Sequence, residues 1–194
     1  MNEYAFREAA QYGHIETMKW LKDNGCPWDV DTFGMAADNL DTMKWLLENG
    51  CPWDSFTFSQ AACQGDLEIM NWLKQNGCPW DEETFAQAAD IGSLDNMKWL
   101  KENGCPWDAR TFHWAIGNND LEVLKWLKEN GCPWDANTFT NAVGQWNLET
   151  LEWLKELNCP MARRIEPQIF SHPDPIFNWM KDNGYHIEFV KDNY

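Results

Sequence analysis

The pentapeptide Gly-Cys-Pro-Trp-Asp occurs five times, at 25–29, 50–54, 77–81, 104–108 and 131–135, in one step of 25 residues and then three of 27. A fixed period of this length restricts the chain to a stack of small units. A unit of about 27 residues cannot bury an apolar face alone and must cover it with its neighbours. A second marker, Trp followed by Leu or Met, falls at Trp20, Trp45, Trp72, Trp99, Trp126, Trp153 and Trp179, and Asn158-Cys159-Pro160-Met161 is a decayed sixth copy of the first marker. The period divides the chain into six units, about 1–29, 30–54, 55–81, 82–108, 109–135 and 136–162, followed by a degenerate C-terminal capping segment, 163–194. Within these residues a separate catalytic domain has no room.

The unit at 78–104 reads CPWDEETFAQAADIGSLDNMKWLKENG. Phe85, Ala88 and Ala89 recur at helical spacing, and the alanines let neighbouring helices approach closely. Either Asp81 or Thr84 serves as N-cap, and Glu82 and Glu83 suit the positive end of the helix dipole. Gly92 stands where a left-handed residue ends a helix, and Ser93 begins a second helix carrying Leu94, Met97, Trp99 and Leu100 on its apolar side. Gly104 closes that helix and Pro106 prevents its continuation. The unit is thus helix, tight turn, helix, short loop. Two departures stand out: unit two lacks two residues at the turn near Asp38-Asn39, and Trp146 replaces the glycine or asparagine (Gly65, Gly92, Asn119) found at that turn elsewhere. Beyond Met161, Pro167, Pro173 and Pro175 forbid a regular first helix, and Ile176 to Gly184 reads as a lone second helix.

The stretch TFAQAADIGSLDNMKWLKENG resembles the ankyrin repeats, paralleling their Thr-Pro-Leu-His-x-Ala-Ala, Gly-His and Leu-Leu-x-x-Gly pattern. More closely, the units are similar to the short ankyrin-like repeats with a Gly-Cys-Pro-Trp signature found in giant DNA viruses, algae and oomycetes. Ankyrin units have about 33 residues, and the residues missing here fall where ankyrins carry their β-hairpin finger. The resemblance therefore implies an all-α, ankyrin-like repeat solenoid of stacked helix pairs lacking the β-hairpin fingers. It also implies a concave face, lined by the first helices, that grips partner proteins.

Composition agrees with an ordered chain: 14 Trp and 10 Phe supply burial that a disordered sequence of net charge −16 would lack. No apolar run is long enough to cross a membrane, and the N-terminus has no leader pattern, so an intracellular, cytoplasmic or nuclear protein is expected, or a virion component if viral. Six of the seven Cys sit at one repeat position. Equivalent atoms in stacked helices lie about 8–10 Å apart, beyond the roughly 7 Å that a disulfide spans, so free thiols are expected. No Cys-x-x-Cys and no nearby His accompanies them, so no metal site is expected. His14, His113, His172 and His186 occupy unrelated positions, and nowhere do an acid, a base and a nucleophile break the repeat together. No catalytic residue and no cofactor are assigned, and the chain is expected not to be an enzyme. Twelve of the 14 Trp recur at fixed positions and read as inter-repeat core, whereas Trp114 and Trp146 do not.

Comparing the copies separates scaffold from surface. Around the fixed Phe and Ala positions the first helices vary, which marks Arg7, Glu8, Gln11, Tyr12, Met35, Asp38, Gln60, Gln64, Glu82, Glu83, Gln87, Asp90, His113, Trp114, Asn118, Asn141 and Gln145 as candidate partner-binding residues. The segments 28–38, 53–65, 80–92 and 107–119 hold nine acids and one base, Arg110. Such a face repels phosphates, so nucleic acid is excluded as a direct partner and a basic protein segment is favoured. A protein-interaction scaffold or adaptor follows, with a monomer favoured but the oligomeric state left open. The alternative is a structural or self-assembling component, such as a virion protein, that uses its convex side.

Overall fold

A computed structural model describes residues 3–160 and 175–185, among which the chain forms thirteen α-helices and no strand. They divide between two units, Met1–Trp107 and Asp108–Tyr194. The first holds α1 (Glu3–Gln11), α2 (Ile15–Asp23), α3 (Val30–Met35), α4 (Leu40–Glu48), α5 (Ser55–Gln64), α6 (Leu67–Gln75), α7 (Glu82–Ile91) and α8 (Leu94–Glu102). The second holds α9 (Ala109–Gly117), α10 (Leu121–Glu129), α11 (Ala136–Gly144), α12 (Leu148–Glu156) and α13 (Pro175–Asp182). Of the expected capping segment, 163–174 and 186–194 lie outside the described residues, with Pro167, Pro173, His172 and His186; α13 is its described helix.

Each first helix from α3 onward starts on the Asp of the repeated pentapeptide. The Asp81 side chain accepts from the backbone N–H groups of Glu83 and Thr84, at 3.1 and 3.3 Å, and the Thr84 hydroxyl accepts from the Asp81 N–H. The two candidate caps are therefore partners in one capping box, repeated at Asp29 with Thr32 and at Asp135 with Thr138. Second helices start on Asn39, Asp66, Asp120 and Asn147, whose side chains accept from first-turn N–H groups, whereas Ser93 makes no such bond. Five second helices, α2, α4, α6, α8 and α10, end on asparagines: Asn24, Asn49, Asn76, Asn103 and Asn130 each donate to the carbonyl of the Trp four residues earlier. The shortened unit two shows in α3, whose six residues contrast with ten in α5 and α7. At the turn between α11 and α12, Trp146 takes φ +58, the left-handed conformation that Gly65, Gly92 and Asn119 supply in other units.

Within the first unit α1 packs on α3, α3 on α5 and α5 on α7, and α1, α5 and α7 each pack also against their own second helix. The core is a ladder of Phe6, Phe33, Phe58 and Phe85 over Met18, Met43, Met70 and Met97, all fully buried. In the second unit α9 packs on α11 over Phe112, Phe139, Leu124, Leu127, Leu151 and Leu154, likewise without exposure. Burying one such side chain contributes about 1.5–3 kcal/mol, so the ladders dominate cohesion.

The recurring Trp residues are not in these ladders. They are half-buried, and Trp20 is 55% exposed. The pentapeptide Trp leans on a Phe of the core (Phe58 to Trp80, 5.1 Å between centroids) and meets the next second-helix Trp edge to face (Trp80 to Trp99, 6.1 Å). Lysines cover the outer rings: Lys22 over Trp28, Lys74 over Trp80, Lys101 over Trp107 and Lys128 over Trp134. The tryptophans frame the edge of the core instead of filling it, because their positions are fixed by ring and cation contacts.

Candidate binding surface

In the first unit the first helices lie side by side, and register fixes which side chains meet. The residues after Phe6, Phe33 and Phe58 face the N-terminal turn of the next first helix. Arg7 on α1 reaches that turn of α3: its Nε donates to Asp29 Oδ1 at 3.2 Å, its Nη2 donates to Asp29 Oδ2, and the same Nη2 lies 2.8 Å from Asp31 Oδ2. The guanidinium holds the Asp29 carboxyl below the usual carboxylate range. On α3 the equivalent residue is Gly34, over which the Phe56 ring of α5 lies so closely that a Cβ there would sit 2.6 Å from the ring. On α5 it is Ser59, whose hydroxyl is 3.1 Å from that of Thr84.

Between α5 and α7 the surface opens into a groove of about 230 Å³ lined by Ser55, Phe56, Ser59, Gln60, Asp81, Glu83 and Gln87. Gln87 Nε2 donates to Glu83 Oε1 at 3.0 Å. The groove has an aromatic wall, two carboxylates and two amides, a lining able to hold a cationic, hydrogen-bonding side chain.

Three of the residues singled out in the sequence, Gln60, Glu83 and Gln87, thus come together. Glu8, Gln11, Tyr12, Met35, Asp38, Gln64 and Asp90 are exposed but do not line the groove, and Glu82 is half-buried beside it. Arg7 is held by Asp29 and Asp31. Phe56, Ser55, Ser59 and Asp81 were not foreseen. Phe56 carried a signal, since its position holds Asp31, Glu83, Arg110 and Asn137 in other copies.

In the second unit the Asn141 amide on α11 meets His113 Nδ1 on α9, and the His113 and Trp114 rings meet edge to face at 5.8 Å. Trp114 is 38% exposed, and Asn118 and Gln145 are exposed at the ends of α9 and α11. Second helices also leave clefts: one of about 360 Å³ between α4 and α6, with Lys44 and Glu68, and one of about 440 Å³ between α12 and α13, with Glu152, Lys155 and Trp179. These are larger than the α5/α7 groove but carry both charge signs. Among the described residues no three His, Cys, Asp or Glu gather as metal ligands, and no helix is long and apolar enough to cross a membrane.

No family model and no curated protein matches this chain. Among solved structures, the human ASB11 ankyrin repeat domain is similar, with a TM-score of 0.59 and 21% identity over 87% of this chain and 90% of that one. The fold is thus an all-α repeat solenoid of stacked helix pairs like that of an ankyrin repeat domain.

Proposed function

We propose that this chain is a non-enzymatic protein-interaction module, built of the short Gly-Cys-Pro-Trp kind of ankyrin-like repeat, that holds a basic segment of another protein on its first-helix face. The observation that carries this reading is the α5/α7 groove, where Asp81 and Glu83 stand beside Phe56 and two glutamines. Cations are drawn to that lining by charge and by the ring, and anions such as nucleic-acid phosphates are repelled. The net charge of −16 steers basic partners over a longer range. The function needs neither cofactor nor metal, and it needs no second copy of the chain.

The test is a titration of the fluorescently labelled chain with an unstructured peptide rich in Arg, Lys and Ser, alongside a Glu-for-basic control, with sedimentation of the chain alone. Saturable binding of the basic peptide by a monomer supports the module. A chain that self-associates and binds neither peptide is instead a structural, self-assembling component.

A further inference from the structure

We infer that the corner formed by Trp53, Trp72 and Asn76, where α4 meets α6, receives a lysine of a partner protein, whose ammonium takes the place that the chain's own lysines fill at the α2/α4 and α6/α8 junctions. The corner lies on the second-helix side, apart from the α5/α7 groove, and does not rest on the reading of that groove.

The repeat shows what such a corner holds. At the α6/α8 junction Trp80 and Trp99 meet edge to face at 6.1 Å, Lys74 Nζ lies 5.1 and 5.8 Å from their centroids, and it donates to Asn103 Oδ1. The Asn103 amide donates to the Trp99 carbonyl at 2.8 Å, which turns Oδ1 toward the lysine. At the α2/α4 junction Lys22 Nζ lies 5.3 Å from the Trp28 centroid and donates to Asn49 Oδ1 at 2.7 Å. The α4/α6 junction between them keeps the receiving groups in register. Trp53 and Trp72 also meet edge to face at 6.1 Å, and the Asn76 amide donates to the Trp72 carbonyl at 2.8 Å. The lysine is not kept. Its position holds Leu47, whose side chain ends at the δ carbon, two atoms short of an ammonium. Among α2, α4, α6, α8, α10 and α12, α4 is the one without a base in its last turn.

Three features suit the same cation presented from outside. The two indoles attract it through their rings, Asn76 Oδ1 accepts from it, and the C-terminal carbonyls of α4 carry a partial negative charge that no base of that turn offsets. Trp53 and Trp72 are half-buried and Asn76 is exposed. The cleft of about 360 Å³ between α4 and α6 reaches Trp72 and Gln75, so the corner is approached from the second-helix side. Lys44, on the wall of that cleft, pairs with Asp41 toward the start of α4. Two rings and one amide oxygen match a compact ammonium with three rotatable donors. A guanidinium fork is matched best by a carboxylate, and none is among the three groups, so lysine is preferred to arginine.

The experiment titrates the isotopically labelled full chain with N-acetyl-lysine methylamide, with the same probe acetylated and so uncharged at Nζ, and with N-acetyl-arginine methylamide. It reads the indole N–H shifts of Trp53 and Trp72 and the side-chain amide of Asn76. The lysine probe is expected to saturate with shifts centred on these three groups, the acetylated probe to bind about tenfold more weakly, and the arginine probe to bind more weakly than lysine. Leu47→Lys supplies the side chain in cis and restores the residue that other second helices carry. It should leave the thermal melt intact and abolish the shifts that the lysine probe causes at Trp53 and Trp72. Equal binding of the charged and acetylated probes, tighter binding of arginine, or lysine binding at the corner indifferent to Leu47→Lys would each overturn the site. No shift at either indole up to the solubility of the lysine probe also overturns it. Lysine-probe shifts centred on Ser59 and Gln87, with both indoles unmoved, overturn it while the first-helix reading stands.

Discussion

The Cys78 thiol donates to the backbone carbonyl of Asp54, 3.5 Å away, tying the loop that leaves α6 back to the first turn of α5. The same bond joins Cys51 to Asp29, Cys105 to Asp81 and Cys132 to Asp108, at 3.5–3.7 Å. In each case the accepting carbonyl also receives the N–H of the Thr in the first turn of its own helix. The repeated Cys is therefore a packing and hydrogen-bonding residue, and all seven cysteines are free thiols.

Burial pushes the thiols of Cys51, Cys78 and Cys105 up from an ordinary 9 to about 12, with nearby aspartates adding to the effect, and pushes Cys159 to about 11. The thiolate is the reactive form, so native Cys51, Cys78 and Cys105 should resist iodoacetamide at pH 8, and half-buried Cys63 should label first in peptide mapping. Above pH 9 the unfolded chain releases protons that the folded chain keeps, so stability falls as pH rises from about 9 toward 12. Cys78→Ala should flatten that fall in a pH series of thermal melts. Rapid labelling of the repeat cysteines in the folded protein would contradict this account.

Ser93 begins α8 without a side-chain cap bond, whereas Asp66 and Asp120 each accept two backbone N–H groups at the same position of their units. Ser93→Asp should place a carboxylate where those first-turn donors point and raise stability by about 0.5–1 kcal/mol. Asp66→Ala should lower it by about 1 kcal/mol. Urea melts of the two variants read both signs.

Gly34 lies inside α3, where Gly→Ala ordinarily stabilises by about 0.5–1 kcal/mol. Here the added Cβ would meet the Phe56 ring at 2.6 and 2.7 Å, so the ring must move and the sign reverses. Gly34→Ala is expected to destabilise the parent by about 1 kcal/mol or more. In a Phe56→Ala background it should stabilise. A double-mutant cycle without coupling would show that the ring does not rest on α3.

The helix pairs were legible in the sequence because Phe85, Ala88, Ala89, Met97 and Leu100 repeat at helical spacing between residues suited to caps and left-handed turns. The choice between Asp81 and Thr84 was not legible, since both take part in one capping box and a single sequence does not say which carries the extended backbone. Repetition also misled: Trp99 recurs as faithfully as Phe85, yet it is half-buried, its place fixed by Phe58, Trp80 and Lys74. The groove was half legible. Variable Gln60, Glu83 and Gln87 were found by comparing copies. Phe56 and Ser59 needed the register of one helix on the next, as did the withdrawal of Arg7 from the candidate surface by Asp29 and Asp31.

Charge reversal separates the first-helix face from the second helices. Glu82 and Glu83 stand in the first turn of α7 beside the groove, whereas Glu48 on α4 and Glu102 on α8 are exposed near second-helix C-termini. Reversing Glu82 and Glu83 to Lys puts two cations beside the groove and at the positive end of a helix dipole. The second effect costs about 0.3–1 kcal/mol per site, so a modest drop in melting temperature is expected, and binding must be compared where every variant is folded. Association with the basic peptide should slow most at low salt, where the Debye length is about 30 Å at 0.01 M, and the difference should shrink at 0.15 M, where it is about 8 Å. Reversal of Glu48 and Glu102 removes as much negative charge from the whole molecule but none from the groove, so it isolates the long-range part of the attraction. Stopped-flow association rates across a salt series read both. If the second-helix pair slows association as much as the first-helix pair at every salt, net charge alone governs encounter. If it slows association more, the basic partner sits on the second-helix side.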